Sequence, residues 1–255
     1  MHRCEDRAHL NNLKVVEVNN IIKSRGKLYL IPAPLGDGDV TDVIPAGVLS
    51  IIPTLKHFVV EELRSARRYL SKAGMKGRID ELEFYVLNEH SSGDDSESYI
   101  KLLLNGNDVG LISEAGLPAV ADPGACLVEL AHRKGITVVP LTGPSSLMLA
   151  LMASGKNGQN FTFVGYLPVK SDERRAKLKE LERLSNINGQ SQIFIETPYR
   201  NHSLMSDIIQ VCSEKTTVTV AAGLTTTDAY IRTLSVKDWR MEKFDIDKIP
   251  CVFII

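Results

Sequence analysis

Residues 108–146 read DVGLISEAGLPAVADPGACLVELAHRKGITVVPLTGPSS. The stretch contains two short apolar runs, at 108–113 and 136–141, that are typical of buried strands. Between them, residues 123–134 have helical spacing, with a proline in the first turn and Gly135 directly after the end, where helices prefer these two residues. A strand, a helix and a second strand of these lengths predict two neighbouring parallel strands.

The same alternation continues upstream, from residue 27. Residues 27–31 form a compact β-prone run that ends in a proline-rich loop. Further strand patterns lie at 57–61 and 84–87, and helical patterns lie at 45–55, 64–73 and 96–104. We therefore expect an α/β domain with a mainly parallel sheet over residues 27–154.

The second half of the chain has a different balance of elements. Residues 155–160 (GKNGQN) predict a linker, and strand patterns outnumber helical patterns over 161–255. This favours an α+β domain with a mixed sheet. Residues 1–26 are polar and mixed in charge, and we expect them to form an extension with disordered parts.

Composition excludes several classes of protein. Of 255 residues, 44% are hydrophobic and 24% are charged, which excludes a fibrous or disordered chain. The four cysteines lie far apart without a CxxC pair, so we expect no disulfide framework and no metal site. No apolar run approaches the roughly 18 residues of a membrane span, and residues 1–14 lack the apolar region of a secretory signal, so we expect a cytoplasmic protein without membrane contact.

The charge balance bears on nucleic-acid binding. A net charge of −1 argues mildly against an RNA substrate, because proteins that bind phosphates are usually basic. Arg64, Arg67 and Arg68, however, share roughly one face of a predicted helix. They are the candidate substrate-binding residues.

Loops marked by glycine or proline follow the predicted strands of the first half, at 32–38, 113–118, 122–124 and 142–146. In an open α/β sheet, ligands bind beyond the carboxyl ends of the strands, and small residues there let the backbone approach a ligand. The chain lacks a Walker A loop, HExxH, GxSxG and a complete GxGxxG. The loops nonetheless predict a cofactor crevice.

Six segments occur in a family-like order and spacing. They are 28–36 (LYLIPAPLG), 113–118 (SEAGLP), 121–124 (ADPG), 139–146 (VPLTGPSS), 163–168 (FVGYLP) and 196–200 (ETPYR). Together they resemble the small-subunit ribosomal RNA 2′-O-ribose (cytidine) methyltransferases of the tetrapyrrole (corrin/porphyrin) methylase superfamily. Each segment alone is weak, but the joint match is specific.

The resemblance implies a two-domain tetrapyrrole-methylase-like fold, a homodimer, and S-adenosylmethionine bound in the cleft between the domains. The expected activity is methylation of a ribose 2′-hydroxyl in ribosomal RNA, with ribosomal RNA or the small ribosomal subunit as partner. Carried over by position, the residues expected at the cofactor are Pro34, Leu35, Ser113, Glu114, Ala115, Gly116, Ser145, Ser146 and Tyr166, with Glu196, Thr197 and Pro198 nearby.

Three positions depart from the family pattern. Residues 61–64 (EELR), 113–116 (SEAG) and 223–226 (GLTT) stand where the family has EDTR, SDAG and ELTK. The chain is thus a divergent paralogue, and two alternatives stay open. One is a methyltransferase for a small, tetrapyrrole-like molecule or another macromolecule, and the other is a catalytically reduced cofactor-binding protein.

Methylation of a hydroxyl requires alignment of the nucleophile, exclusion of water and removal of a proton. Glu61 and Glu62 end a predicted strand, and His90 falls in a polar loop, so these three are the catalytic candidates. Glu114 is a further candidate, with a role at the cofactor as its alternative. For the two glutamates the competing interpretation is stabilisation of a helix N-terminus, and for His90 it is plain solvation.

Overall fold

A computed structural model describes residues 24–88 and 93–255 of the chain. The first half contains β1 Leu28–Ile31, α1 Val40–Val43, α2 Ala46–Ile51, β2 His57–Val60, α3 Leu63–Leu70, β3 Glu83–Val86, α4 Gly93–Leu104, β4 Val109–Ile112, α5 Ala125–Arg133, β5 Val138–Pro140 and α6 Ser146–Ser154. The second half contains β6 Phe161–Tyr166, α7 Ser171–Asn188, β7 Ser191–Glu196, α8 Asn201–Val211, β8 Thr217–Ala222, β9 Tyr230–Ser235, α9 Val236–Trp239 and β10 Cys251–Ile254.

The first sheet has the strand order β3-β2-β4-β1-β5, and its paired strands are parallel. The central strand β4 is buried along its whole length, which explains its apolar sequence VGLI. Gly110 lies at the middle of the sheet, where an added Cβ would come within 2.6 Å of Ile31 Cδ1 and 3.0 Å of Phe58 Cδ1. A glycine there allows the side chains of β1 and β2 to cover the strand between them.

The second sheet has the strand order β6-β7-β10-β8-β9. The β6–β7 pair is parallel, and the pairs of β10 with β7, β10 with β8 and β8 with β9 are antiparallel. Its core includes Phe194 stacked on Phe253, and Trp239, whose Nε1 donates to the Val218 carbonyl at 2.9 Å. The predicted fold class, with a mainly parallel first sheet and a mixed second sheet, is confirmed.

Helix α6 connects the two halves. Its sequence SLMLALMAS is mostly apolar. Its buried residues Leu147 and Leu151 pack against Ile193 and Val252 of the second sheet. Leu35, from the loop after β1, packs against the same cluster. The first half of the chain thus supplies both a helix and a loop to the core of the second.

The segment predicted as a linker is a tight loop bound to the second half. Gly155 has φ 69°, a left-handed conformation that suits glycine at the end of α6. Asn157 Nδ2 donates to the Gly189 carbonyl at 2.7 Å, and Asn160 Nδ2 donates to the Asn188 carbonyl at 3.0 Å. Residues 155–160 therefore fix the start of β6 beside the end of α7.

The last residues of the predicted N-terminal extension contact the first half of the chain. Arg25 Nη1 donates to the Lys134 carbonyl at 2.7 Å, and Gly26 N donates to the Leu103 carbonyl at 2.8 Å. Within residues 24–88 and 93–255, no helix combines the length and apolarity that a bilayer crossing requires.

Candidate active site at the carboxyl edge of the parallel sheet

The loops after β1 and β4 are joined by backbone hydrogen bonds. Ala33 N donates to the Gly116 carbonyl at 2.8 Å, and Gly116 N donates back to the Ala33 carbonyl at 3.0 Å. Gly116 has φ 74°, and an added Cβ would lie 3.3 Å from Leu35 Cδ2. Because the strands are parallel, their carboxyl ends meet at one edge, and this pair of bonds holds two of the loops together there.

The loop after β5 packs against the loop after β1. A Cβ at Gly143 would lie only 2.2 Å from Pro32 Cβ, so no larger residue fits without movement of the chain. The Pro32 carbonyl also accepts a hydrogen bond from the buried Tyr69 hydroxyl at 2.8 Å. Ser145 caps α6 by accepting the Met148 N–H at 3.4 Å. The loops after β1, β4 and β5 therefore hold one another in place, and they consist mainly of small residues and proline.

Carboxylates gather at the same edge. Glu61, directly after β2, accepts the Glu114 N–H on Oε2 at 3.0 Å. Asp122 is half-buried, and burial raises its pKa to about 6, with repulsion from Glu61 and Glu114 adding to the shift. The Ser113 hydroxyl lies beside Asp122 and offsets part of this shift, yet it is buried without a hydrogen bond of normal geometry. We call the three carboxylates Glu61, Glu114 and Asp122 the acidic cluster.

Tyr166 of the second half faces this cluster. It ends β6 and is 58% exposed. Its pKa is raised, first by partial burial and then by the negative charges of Asp122, Glu196 and Glu61. Since carboxylates of both halves act on one phenol, the carboxyl edge of the first sheet lies near the ends of β6 and β7, and we call the region between them the crevice.

Glu196 is a buried carboxylate, and one of its two oxygens has no hydrogen-bond partner among the described residues. Its Oε1 accepts from Thr197 N at 2.7 Å and from Arg200 Nε at 3.0 Å. Oε2 is buried and has no hydrogen-bond partner within the described residues. An acceptor left without a partner costs free energy, and such groups are common where a ligand supplies the missing donor.

The loop that leads from β4 to α5 has a strained backbone. Ala119 has φ 65° and Ala121 has φ 64°, values that are costly for any residue with a Cβ. Each such residue costs of order 1–3 kcal/mol, and strain of this kind concentrates at functional sites. Asp122 directly follows the second of these alanines.

All twelve residues predicted at the cofactor lie in the loops at the carboxyl edge of the first sheet or at the ends of β6 and β7. The loops of the first half contribute Pro34, Leu35, Ser113, Glu114, Ala115, Gly116, Ser145 and Ser146, and the ends of β6 and β7 add Tyr166, Glu196, Thr197 and Pro198. Leu35 turns into the core of the second half, whereas Glu114 and Ala115 are exposed.

The three catalytic candidates have different surroundings. Glu62 caps α3 with both oxygens, which accept the Arg64 N–H at 2.9 Å and the Ser65 N–H at 2.6 Å and lower its pKa. Glu61 lies in the acidic cluster. His90 lies outside the described residues.

The three arginines of α3 differ in their contacts. Arg67 Nη2 lies 2.6 Å from Asp80 Oδ1, and its guanidinium carbon lies 5.7 Å from the centre of the Phe84 ring. Arg64 and Arg68 are exposed and make no ion pair within the described part of the chain. The first turn of α3 directly follows β2, which places Arg64 beside the crevice.

Sequence reasoning did not assign Asp122 or Arg200 to the site. Both lie in segments that carry the resemblance, ADPG at 121–124 and ETPYR at 196–200. An acid in a glycine- and proline-marked loop after a buried strand was the signal for Asp122. Its elevated pKa required the positions of Glu61 and Glu114, which only the fold supplies.

Other candidate sites lie elsewhere. Among the described residues, no three His, Cys, Asp or Glu side chains are arranged to hold a metal ion, and Cys126, Cys212 and Cys251 are free thiols. A polar surface cavity of about 240 Å³ lies in the second half, lined by Lys156, Thr217 and neighbouring residues. None of the crevice loops lines this cavity.

Comparison with known proteins gives one family. Residues 27–239 match the Tetrapyrrole (Corrin/Porphyrin) Methylases. Ribosomal RNA small subunit methyltransferase I of Vibrio cholerae is 32% identical over 201 residues, which cover 78% of this chain and 65% of that protein. The protein of the same name from Pseudomonas aeruginosa is 30% identical over 235 residues, 91% of this chain and 79% of its own length.

Solved structures show the same fold at low sequence identity. Diphthine synthase superposes with a TM-score of 0.64 at 16% identity, over 90% of this chain and 89% of that one. Uroporphyrin-III C-methyl transferase from Thermus thermophilus, complexed with S-adenyl homocysteine, superposes with a TM-score of 0.56 at 15% identity, over 90% and 97% of the two chains. The chain therefore belongs to the tetrapyrrole (corrin/porphyrin) methylase family, and its resemblance to the ribosomal RNA methyltransferases of that family is confirmed.

Proposed function

We propose that the chain is an S-adenosylmethionine-dependent methyltransferase that methylates a ribose 2′-hydroxyl of small-subunit ribosomal RNA. The observation that carries the proposal is identity of 30–32% to proteins named ribosomal RNA small subunit methyltransferase I, over 78% to 91% of this chain. The chain spans 65% of the length of the Vibrio cholerae protein and 79% of the length of the Pseudomonas aeruginosa protein. We therefore propose, by similarity, that it acts on the same kind of substrate.

The crevice residues fit this cofactor. S-adenosylmethionine has a sulfonium cation, an ammonium group and ribose hydroxyls, and the acidic cluster offers negative charge to the cations. The buried Ser113 hydroxyl and Glu196 Oε2 lack partners within the described residues, so the ligand's donors and acceptors would satisfy them. The exposed Ala115 presents only a methyl group beside the backbone of this loop, which would let a ligand approach it closely. We propose the full set of crevice residues named above as the cofactor site.

When bound, the cofactor supplies a methyl group on a positively charged sulfur, an electrophile whose leaving group needs no acid. The loops after β1, β4 and β5 hold their positions through the Ala33–Gly116 bonds and the contact of Gly143 with Pro32, which preorganises the crevice. The protein's remaining tasks are to align a hydroxyl nucleophile, exclude water and accept its proton. Glu61, Glu62 and His90 remain candidates for proton transfer, with the surroundings described above.

The RNA would approach along α3. Arg64 and Arg68 are exposed cations of α3, free to neutralise phosphates. Arg67 would also contact a phosphate of the RNA, which would replace the exposed Asp80 as its ion-pair partner. We also propose a homodimer that works in the cytoplasm, where the small ribosomal subunit is found.

The test combines cofactor binding with mapping of the product. Calorimetry should detect binding of S-adenosylmethionine and S-adenosylhomocysteine to the purified protein. Small subunits from a strain without the gene, incubated with protein and cofactor, should gain one 2′-O-methyl group that mass spectrometry assigns to a single nucleotide.

A matched pair of variants links the activity to the crevice. Ala115→Phe fills the crevice from an exposed position and should abolish cofactor binding. Ala176→Phe changes an exposed alanine of α7 by the same volume and should bind as the wild type does. Cofactor binding without any methylation of the subunits would refute the proposed substrate, and absence of binding would refute the proposed activity.

A further inference from the structure

The polar cavity of the second half lies at the end of the second sheet that is opposite to the crevice. Glu196 of β7 pairs with Cys251 of β10, which in turn pairs with Ala222 at the end of β8, so these three residues lie at the crevice end. Thr217, at the other end of β8, lines the cavity of about 240 Å³. Residues of a strand rise about 3.4 Å each, so the length of β8 places the cavity roughly 17 Å from the crevice.

The cavity contains a half-buried ammonium group that has no counterion. Lys156 follows Gly155 at the end of α6, and its Nζ donates to the Thr217 carbonyl at 2.5 Å and to the Thr217 hydroxyl at 2.6 Å. An ammonium has three N–H groups, so one of them is left without a partner among the described residues. Loss of hydration lowers the pKa of Lys156 to about 8, and no charge of a described neighbour offsets this effect. A bound anion would reduce the cost of burying this cation.

The rest of the lining supplies further donors and positive charge. No Asp or Glu side chain lines the cavity. Lys215 adds a second ammonium group, and Ser185 and Asn186, near the end of α7, add a hydroxyl and an amide. Glu182, one turn earlier in α7, directs its Oε1 to the Ser213 N–H at 2.7 Å. The cavity therefore favours an anion over a cation.

The number and kind of donors favour a phosphate group among anions. A phosphate monoester carries a charge of about −1.5 to −2 at pH 7, which two ammonium groups balance. Lysine binds phosphate as a point charge, whereas the planar arginine fork that matches a carboxylate is absent from this lining. The volume of the cavity is several times the roughly 30 Å³ that one water molecule takes up in the liquid, so a phosphate group has room.

We propose that this cavity is a binding site for a phosphate group, which Lys156 and Lys215 hold together with the donors of Ser185 and Asn186. The site is separate from the crevice and does not depend on the proposed methyl transfer. Two sources share this chemistry. One is a free phosphate or a phosphorylated small molecule, and the other is a phosphate of an RNA backbone.

The experiment titrates the whole chain with inorganic phosphate by calorimetry, with chloride keeping the ionic strength constant. Lys156→Met removes the ammonium group at nearly constant side-chain length. Lys134→Met is the matched control, because Lys134 is an exposed lysine at the end of α5, at the amino edge of the first sheet. Ser185→Asp places a carboxylate at the cavity without removing either partner of the Lys156–Thr217 contacts.

The wild type and K134M should each bind phosphate at one saturable site. K156M should bind it about 10- to 100-fold more weakly, which is typical of the loss of a hydrogen bond to a charged group. S185D should lose saturable binding through repulsion. Sulfate, whose charge is constant over this range, should bind the wild type about tenfold more weakly at pH 9 than at pH 7, because Lys156 loses its proton.

A second measurement distinguishes the two sources of the phosphate. If an RNA backbone supplies it, K156M should lower the magnitude of the log–log salt slope of RNA binding by about one unit, and K134M should not. If the ligand is a free anion, all three proteins should have the same slope.

Three results would overturn the proposal. The first is a wild type without saturable phosphate binding whose RNA salt slope is the same as that of K156M. The second is equal weakening in K156M and K134M, which would indicate general electrostatic attraction. The third is K156M that loses thermal stability but binds phosphate like the wild type, which would leave Lys156 only a structural role beside Thr217. If K156M does not fold, phosphate binding by S185D equal to that of the wild type would refute the site.

Discussion

Asp122→Asn should make the protein more stable at neutral pH. The folded state raises the pKa of Asp122 from 3.8 to about 6, a difference of about 2 units. Each unit corresponds to 1.36 kcal/mol, which would give about 3 kcal/mol for a fully buried group. Asp122 is only half-buried, and solvent screening reduces the expected cost to roughly 1 kcal/mol. The asparagine removes the charge and with it this cost.

The sign of the pH dependence follows from proton binding. Between pH 3.8 and about 6 the folded state holds the Asp122 proton and the unfolded state does not, so stability falls as the pH rises through this window. The gain from D122N should therefore be full above about pH 6 and shrink toward zero as the pH falls to about 4.

The assay is thermal and urea unfolding of wild type and variants at pH 7.5 and at low pH. A gain of roughly 1 kcal/mol raises the Tm by about 2–4 °C for a chain of this size. The control D172N removes a carboxylate that favours the N-terminus of α7, and it should lose a few tenths of a kcal/mol. D122N that is less stable than the wild type at pH 7.5, or equally more stable at all pH values, would refute the reasoning.

Three further predictions concern RNA binding, the core of the second half and assembly. Replacing Arg64, Arg67 and Arg68 by alanine should lower the log–log salt slope of RNA binding by about one unit per lost phosphate contact without changing cofactor affinity, and an unchanged slope would exclude these contacts. Asp207→Asn should destabilise the protein by about 3–5 kcal/mol in urea unfolding, because the buried Arg174 loses its counterion; Arg174 Nε lies 2.7 Å from Asp207 Oδ2. As a control, Glu180→Gln removes the exposed ion pair with Lys177 and should cost less than about 1 kcal/mol. Equal losses of stability in the two variants would contradict this prediction. Light scattering should give twice the 28.1 kDa of one chain, and a monomer mass at micromolar concentration would overturn the homodimer.

The strands and most helices could be predicted from local sequence. The apolar run before Ser113 is a strand because β4 is buried on both faces, and buried parallel strands need continuous apolar residues. The 123–134 helix pattern corresponds to α5, which begins at Ala125 after Gly124 at φ 127°. The short helices α1 and α9 escaped prediction, since four residues are too few for a periodic pattern.

The sequence by itself determined the family, the α/β class and the loops of the crevice, because these depend on residue type and order along the chain. Only the tertiary structure decided the chemical state of individual groups. Glu61 and Glu62 are adjacent in sequence, yet one lies in the acidic cluster and the other caps a helix. The pKa of Asp122 depends on Glu61, which is distant along the chain, and that of Tyr166 depends on both halves. Burial and charge act through space, and the fold alone sets those distances.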